Sequence, residues 1–248
     1  DGLWLSSLGQ STIRARRDDE TLSASTRLSD LDDIRRVSAL PVLYDADSGG
    51  SPDQLAALLE QLHARQCAGL VVEDKTGAKV NSLQTWGRQQ ELAEPSEFAR
   101  KIAHVHLRAR ELGLIVVARV ESLIAGRGME DAIDRSVRYV AAGADAIMIH
   151  SRQESADEII HFCGTFRPVS PTTPIVVVPS TFDATPASAL FDAGVNVVIY
   201  ANQLIRAAHH GMSTVASSLL INDRAADATS AMTPIPQILR LLPDDSST

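Results

Sequence analysis

This sequence predicts an α/β chain folded as a (β/α)8 barrel of the TIM type, on three observations. Short apolar runs rich in Val and Ile recur along it: LWLSS (3–7), PVLYDAD (41–47), GLVVED (69–74), LIVVARVE (114–121), AIMIHS (146–151), PIVVVP (174–179) and VNVVIYAN (195–202). Helical patterns separate the runs, and nearly every run places its reactive groups at its C-terminal end. Each run is too short and too uniformly apolar for a strand with one wet face, whereas strands of a parallel sheet, covered on both faces, read this way.

The segments between the runs obey helix rules. Ser51-Pro52-Asp53 supplies an N-cap and first turn for a helix with Leu55, Leu58, Leu59 and Leu62 along one face. Ser96 and Glu97 open a second, with Phe98, Ile102 and Val105 inward. Met129 to Ala142 forms a third, with Glu130 and Asp131 in its first turn and Gly143 after its end, where a left-handed cap is easiest for glycine.

Such alternation resolves either as an open doubly wound sheet or as a closed barrel. The polar strand ends decide between them: Ser6 and Ser7, Asp45 and Asp47, Glu73, Arg119 and Glu121, His150, and Asn202. A barrel gathers these ends on one face around one axis, where barrel enzymes build their sites; an open sheet would spread them along a crevice. Only seven runs are visible and the first begins almost at residue 1, so a preceding strand and helix are expected to be absent from this chain, in preference to a true seven-stranded barrel.

At 248 residues one domain spanning 1–248 accounts for the length. No linker, no repeat beyond the βα unit and no low-complexity stretch except the tail DDSST interrupts it. A net charge of -8 offers no footprint for nucleic acid or an anionic membrane, so the expected partner is a small molecule. Cys67 and Cys163 each stand alone in apolar surroundings, which excludes a disulfide framework or zinc cluster and suits a reducing cytoplasm. No stretch approaches the roughly 18 apolar residues of a membrane span, and the first residues do not read as a signal peptide.

Chemistry concentrates at four places. Asp45-Ala46-Asp47 puts two carboxylates on one side of a strand end, Glu73 ends the next strand, and Asp18 lies on the loop after the first. Hard oxygen ligands with room for water suit Mg²⁺ or Mn²⁺; the plainer alternative is helix capping and solvated loop acids. Arg119 projects from LIVVA toward the same mouth, either to grip a carboxylate or phosphate bidentately or to pair with Glu121. His150 is placed in the same way, and a lone His there serves equally as a satisfied core residue or a catalytic one. His104 and His106 are no metal pair, because residues two apart on a helix face different ways. The fourth place is EDKTGAKVNS (73–82), a strand end running straight into a short polar loop.

EDKTGAKVNSL resembles the loop of the phosphoenolpyruvate mutase and phosphonopyruvate hydrolase group within the isocitrate lyase superfamily. DGLWLSSL (1–8), DADSGG (45–50), ARVESLIAGRGMEDAIDRSVRYVAAGADAIMIHS (118–151) and VIYANQLIRAA (198–208) also resemble that group, in the same order, so the likeness spans almost the whole chain. It implies a barrel of that superfamily, with Asp45 ligating Mg²⁺ and Asp47, Glu73 and Asp18 holding its waters. It implies that Ser6, Ser7 and Leu8 meet the enolate and carboxylate end of the substrate, and that Arg119, assisted by His150, binds the phosphoryl or phosphonyl group. Lys79, Asn81 and Ser82 would ride on a gate. Moving a phosphoryl group between oxygen and C3 of pyruvate passes through a metaphosphate-like species and an enolate, so the site must stabilise negative charge and exclude water.

Asn81 beside Ser82 looks like a mutase gate, so the expected activity is phosphoenolpyruvate mutase; hydrolase relatives tend to carry Thr there, and phosphonopyruvate hydrolase is the alternative. Two departures bear on that choice: Thr76-Gly77-Ala78 replaces a common Phe-Pro pair, and Ser48-Gly49-Gly50-Ser51-Pro52 is about one residue shorter than the usual form. A carbon–carbon lyase of the superfamily would use a Cys on the loop, and no Cys lies between 68 and 162; a non-catalytic barrel is the remaining reading. The resemblance also implies a homo-oligomer, dimer or tetramer, that exchanges a C-terminal helix, for which the apolar segment 233–243 is the candidate.

Overall fold

A computed structural model describes residues 1–84 and 90–241; residues 242–243 of the expected C-terminal segment and the DDSST tail lie outside them. Contacts divide the chain into two compact units, Asp1–Ala201 and Asn202–Thr248.

The first unit runs β1 (Leu3–Leu5), α1 (Ser7–Thr12), α2 (Ala24–Val37), β2 (Val42–Asp45), α3 (Pro52–Ala64), β3 (Gly69–Glu73), β4 (Lys75–Thr76), β5 (Glu91–Leu92), α4 (Pro95–Glu111), β6 (Ile115–Val120), α5 (Met129–Ala141), β7 (Ala146–Ile149), α6 (Asp157–Phe166), β8 (Ile175–Val177), α7 (Ala187–Asp192) and β9 (Val197–Val198). Seven strands form one parallel sheet in the order β1-β2-β3-β6-β7-β8-β9. The order never reverses, so each connection advances by one strand, as in a barrel and unlike a doubly wound sheet. Among the described residues β1 and β9 are the sheet's edges.

Several boundaries differ from the expected ones, for local reasons. Ser6 and Ser7 do not prolong β1: Ser6 is the N-cap of α1 and Ser7 its first residue. Helix α3 starts as expected, with Ser51 Oγ accepting the Gln54 N–H and Gln54 Oε1 accepting the Ser51 N–H in a reciprocal box. Helix α4 begins one residue early, at Pro95, whose fixed φ and missing donor suit the first turn. The last run shrinks to Val197–Val198, and Asn202 becomes the residue before a helix of the second unit. The loop after Glu73 contains an unexpected antiparallel pair, Lys75 opposite Leu92 and Thr76 opposite Glu91.

Strand alternation sorts the sheet into two apolar layers. Leu70 and Val72, Val116, Ala118 and Val120, Ile147 and Ile149, and Ile175 and Val177 face the large core shared with the helices. Their neighbours Val71, Val117, Met148 and Val176 form a small inner cluster. Side chains along a strand alternate faces, so continuing the inner set to the strand ends reaches Asp45, Glu73, Arg119, Glu121 and His150. One parity therefore puts both the apolar plug and the reactive residues on the inner face. Register reinforces this, since Glu73 stands opposite Arg119.

The second unit consists of α8 (Gln203–Asn222), a 3-10 turn over Ala226–Ala231 packed on it, and α9 (Ile235–Leu239) within the expected C-terminal segment. Leu204, Leu220 and Ile221 on α8 are exposed.

Two glycines are demanded by close approach. Gly143, past the end of α5, has φ +105°, and a Cβ there would meet the His106 ring at 2.3 Å. Gly69 opens β3, where a Cβ would fall 2.3 Å from the Ile115 carbonyl oxygen, part of the neighbouring strand's backbone. Gly69→Ala is expected to lose about 1–3 kcal/mol through overpacking; urea denaturation reads this directly, and an unchanged midpoint would show that β6 can shift without cost.

Candidate active site

The strand ends form two linked charge clusters. The first joins β2, the loop after α1 and residues 77–84. Asp45 Oδ2 accepts both the backbone N–H and the hydroxyl of Ser7, each at 3.1 Å. Lys79 Nζ donates to Ser7 Oγ at 2.8 Å and lies 2.5 Å from both Asp18 Oδ1 and Asp47 Oδ1. Asn81 Nδ2 donates to Asp18 Oδ2 at 2.8 Å. The far oxygen of Asp47 accepts from Arg27 NH1 at 2.9 Å.

The second cluster lies at the ends of β3, β6 and β7. Arg119 pairs with Glu121 Oε1 through Nε and with Glu73 Oε2 through NH1, the latter at 3.3 Å. Its NH2 donates to Ser82 Oγ at 2.6 Å and stands 3.0 Å from His150 Nδ1. Ser82 Oγ also accepts from Lys75 Nζ at 2.7 Å and donates to Glu121 Oε2 at 3.0 Å. A hydroxyl has one proton and two lone pairs, so Ser82 is fully used inside the protein. His150 Nδ1 is 3.1 Å from Glu121 Oε1 as well, and can satisfy either the guanidinium or the carboxylate at one time.

The charges tune one another. Burial works to raise the Asp45 pKa, but Lys79, Arg119 and Arg27 outweigh it and hold the carboxyl below its ordinary value. Burial, together with Asp45, pushes Asp47 up against the pull of Lys79 and Arg27. Burial pushes Glu73 up to about 7, whereas Arg119, Lys75 and His150 overcome it at Glu121 and hold that acid well below the usual carboxylate range. Burial, then Arg119, lowers His150, which favours the neutral imidazole.

A third network anchors the base of the loop. Asp74, completely buried, accepts the Glu121 N–H at 3.0 Å, Arg135 NH1 at 3.1 Å and the Tyr139 hydroxyl at 2.8 Å. Burial raises it to about 6. Its backbone carbonyl accepts from Ala93 N–H, which closes the loop's far end. Gln90 stitches the loop across, accepting from Val80 N–H and donating to the Thr76 carbonyl, both at 2.8 Å.

Of the expected site residues, Ser7, Asp18, Asp45, Asp47, Lys79 and Asn81 meet in the first cluster, and Glu73, Ser82, Arg119 and His150 in the second. Ser6 Oγ caps α1 by accepting the Gly9 N–H at 3.4 Å. Leu8 lines an open cleft of about 720 Å³ together with Arg17, Asp18, Lys79, Asn81 and Gln84. The Arg119–Glu121 pair, one of the two expectations for Arg119, is present. Three contributors escaped the sequence reading: Arg27, Lys75 and the Asp74–Arg135–Tyr139 network. Lys75 sits inside the EDK motif and that motif was its only signal; Arg27 and Arg135 carry none, each standing among other charged residues of an amphipathic helix.

Hard-cation chemistry fits these residues. Among the described residues Glu73 Oε1 is a buried oxygen with no hydrogen-bond partner, and Asp45 Oδ1 receives a long contact, 3.4 Å, from the Asp47 N–H. Among the described residues no three His, Cys, Asp or Glu groups stand as a ready cage. Mg²⁺ needs none, because it keeps several waters and takes one or two carboxylates directly.

Fold and site together define a single-wound α/β enzyme with an acid-rich mouth closed by a loop, and the comparisons agree. A family model described as phosphoenolpyruvate phosphomutase matches residues 1–220. The chain belongs to this family, within the isocitrate lyase superfamily, and has its TIM-type fold. Phosphonopyruvate hydrolase from Variovorax sp. (strain Pal2) is 35% identical over 98% of this chain and 83% of its own length. The crystal structure of phosphoenolpyruvate phosphomutase from Streptomyces platensis subsp. rosaceus superposes with a TM-score of 0.91 at 30% identity, covering 97% of this chain and 83% of that one. A crystal structure of phosphonopyruvate hydrolase in complex with oxalate and Mg²⁺ superposes with a TM-score of 0.85 at 33% identity, covering 97% and 82%.

The Asp74 network allows a specific test. Tyr139→Phe keeps the ring, 4.7 Å from that of Phe98, but removes the hydroxyl from a buried carboxylate. A loss of about 1–3 kcal/mol is expected in chemical denaturation; stability equal to wild type would show that Arg135 and the Glu121 N–H satisfy Asp74 without the hydroxyl.

Proposed function

We propose that this chain is a Mg²⁺-dependent phosphoenolpyruvate mutase, interconverting phosphoenolpyruvate and phosphonopyruvate. The observation that carries the reading is Asn81, held 2.8 Å from Asp18 on the same loop whose Lys79 reaches Asp18 and Asp47. That loop carries the Asn of a mutase gate and lies across the acids.

The reaction breaks the bond between phosphorus and C3 of phosphonopyruvate and forms one between phosphorus and the C2 oxygen, so no atom is gained or lost. Water reaching phosphorus instead would give phosphate and pyruvate. The residues then have distinct tasks. Asp45, Asp47 and Glu73, with Asp18 behind them, would hold the metal and its waters, and Glu73 Oε1 is the buried oxygen still lacking a partner. When bound, Mg²⁺ supplies positive charge that stabilises the enolate oxygen as it develops. The start of α1 (Ser6, Ser7 and Leu8) would meet the substrate's carboxylate end, with the Ser7 N–H and hydroxyl exchanging Asp45 for it. Arg119 and neutral His150 face the phosphoryl group, with Arg119 exchanging Glu73 and Ser82 for substrate oxygens. Lys79, Asn81 and Ser82 bring the loop down and exclude water.

Phosphonopyruvate hydrolase is the second reading, favoured by the 35% identical relative and by Thr76-Gly77-Ala78, where a Cβ on Gly77 would find no atom within 4 Å. A lid that thin could let water reach phosphorus. Dimer or tetramer formation belongs to the same proposal, supported by the exposed apolar side chains of α8. So does a cytoplasmic location, in keeping with the absence, among the described residues, of any helix long and apolar enough to cross a membrane.

Phosphorus NMR of the purified protein with phosphonopyruvate and Mg²⁺ tests the reading, with EDTA as control. A metal-dependent phosphoenolpyruvate signal is expected, and Asn81→Ala should slow its appearance while leaving Mg²⁺ affinity intact. Inorganic phosphate appearing directly would make the chain a hydrolase; silence in both tubes would sink both readings.

A further inference from the structure

We propose that Arg27, on α2 and outside the residues carried over by resemblance, is a positioning residue that aims both acids of the Asp45–Asp47 turn at the bound cation. The inference rests on the reading of those acids as metal holders.

Its guanidinium is committed at every nitrogen. NH2 donates to the Asp45 backbone carbonyl and NH1 to Asp47 Oδ2 at 2.9 Å, so one planar fork spans the turn. Nε donates to Gln10 Oε1 at 2.8 Å. Gln10 is itself fixed, because its amide donates to the Arg27 carbonyl at 3.0 Å and to Asp30 Oδ2 at 2.8 Å. The face of the fork lies over the Tyr44 ring, 4.7 Å from its centroid. Arg27, Gln10 and Tyr44 are all buried.

The turn needs this hold. Asp47 has φ +53°, in the left-handed region that non-glycine residues seldom adopt. Its carboxylate would rotate freely if only Lys79, at the end of a flexible chain, gripped it. With Oδ2 held from behind by Arg27, Oδ1 is the oxygen that faces the mouth, and the carbonyl clamp fixes where Asp45 leaves β2. Lysine replaces this planar two-pronged donor with a point charge on a flexible stem, which fixes neither acceptor's direction.

Positioning and simple charge compensation predict opposite signs, so Mn²⁺ binding to the metal-stripped full chain separates them, read by calorimetry or electron paramagnetic resonance. If Arg27 positions, Arg27→Lys and Arg27→Gln both weaken Mn²⁺ binding by about tenfold or more, as loss of an outer-sphere partner does. If it acts only as charge, Arg27→Lys binds as wild type and Arg27→Gln, with one cation fewer beside the acids, binds more tightly; either result overturns the proposal. Gln10→Met keeps the guanidinium but frees Nε, and is expected to weaken Mn²⁺ by a few-fold. Should the Arg27 variants fail to fold, unchanged affinity in Gln10→Met overturns it. Failure of the wild-type chain to bind Mn²⁺ would overturn the metal reading and the proposal together, whereas wild-type affinity in the variants would overturn the proposal alone.

Discussion

Burying carboxylates at the ends of strands is the constraint on which the rest of this structure depends. Asp45, Asp47, Glu73, Asp74 and Glu121 are each buried, and an isolated buried anion is too costly to persist. The chain answers with internal cations: Arg27 and Lys79 on Asp47, Lys75 and Arg119 on Glu73 and Glu121, and Arg135 on Asp74. Removing one member of such a pair typically costs about 3–5 kcal/mol, so the clusters are mutually dependent. Two of the cations, Lys75 and Lys79, come from the segment after β3, which makes the loop part of the charge balance and not an ornament over it.

That dependence links structure to chemistry. A loop held by the acids it covers is sensitive to whatever competes for those acids or for the cations paired with them. The two clusters also differ in character. Glu121 is held firmly ionised while Glu73, with one buried oxygen unpaired among the described residues and a pKa pushed up to about 7, is left short of partners. An acid under-satisfied within an otherwise complete network is where an added cation gains most. The stretch Thr76 to Ala78 lies between the Gln90 stitching at the loop's base and the Asn81 contact with Asp18.

Much of this was legible in the sequence. The seven apolar runs appear as seven parallel strands because double-sided burial demands uniform apolarity, and the reactive residues at their ends share one face because alternation forces it. Asp45, Glu73, Arg119 and His150 were therefore visible as a group. What stayed hidden depends on long-range contact. Nothing near Arg27 signals that its side chain crosses to residues 45 and 47, and nothing near Arg135 or Tyr139 signals a shared partner in Asp74. Strand ends were also overestimated: Ser6 looked like the end of β1 because a serine after LWL suits a strand's mouth, but the same hydroxyl makes it a helix N-cap, and capping prevailed. The short pairing of Lys75–Thr76 with Glu91–Leu92 was hidden because two residues carry no periodicity.

Hydrogen exchange of the loop amides tests most directly whether the acids hold the gate. Asp18 is the acid that takes both Lys79 and Asn81, yet it lies on a different loop. In Asp18→Ala, amides of residues 77–84 should exchange about tenfold faster or more, while those of β3 keep wild-type protection, as expected for a local opening. Unchanged exchange across 77–84 would mean that the loop is held by its own backbone and that the acids serve only the ligand.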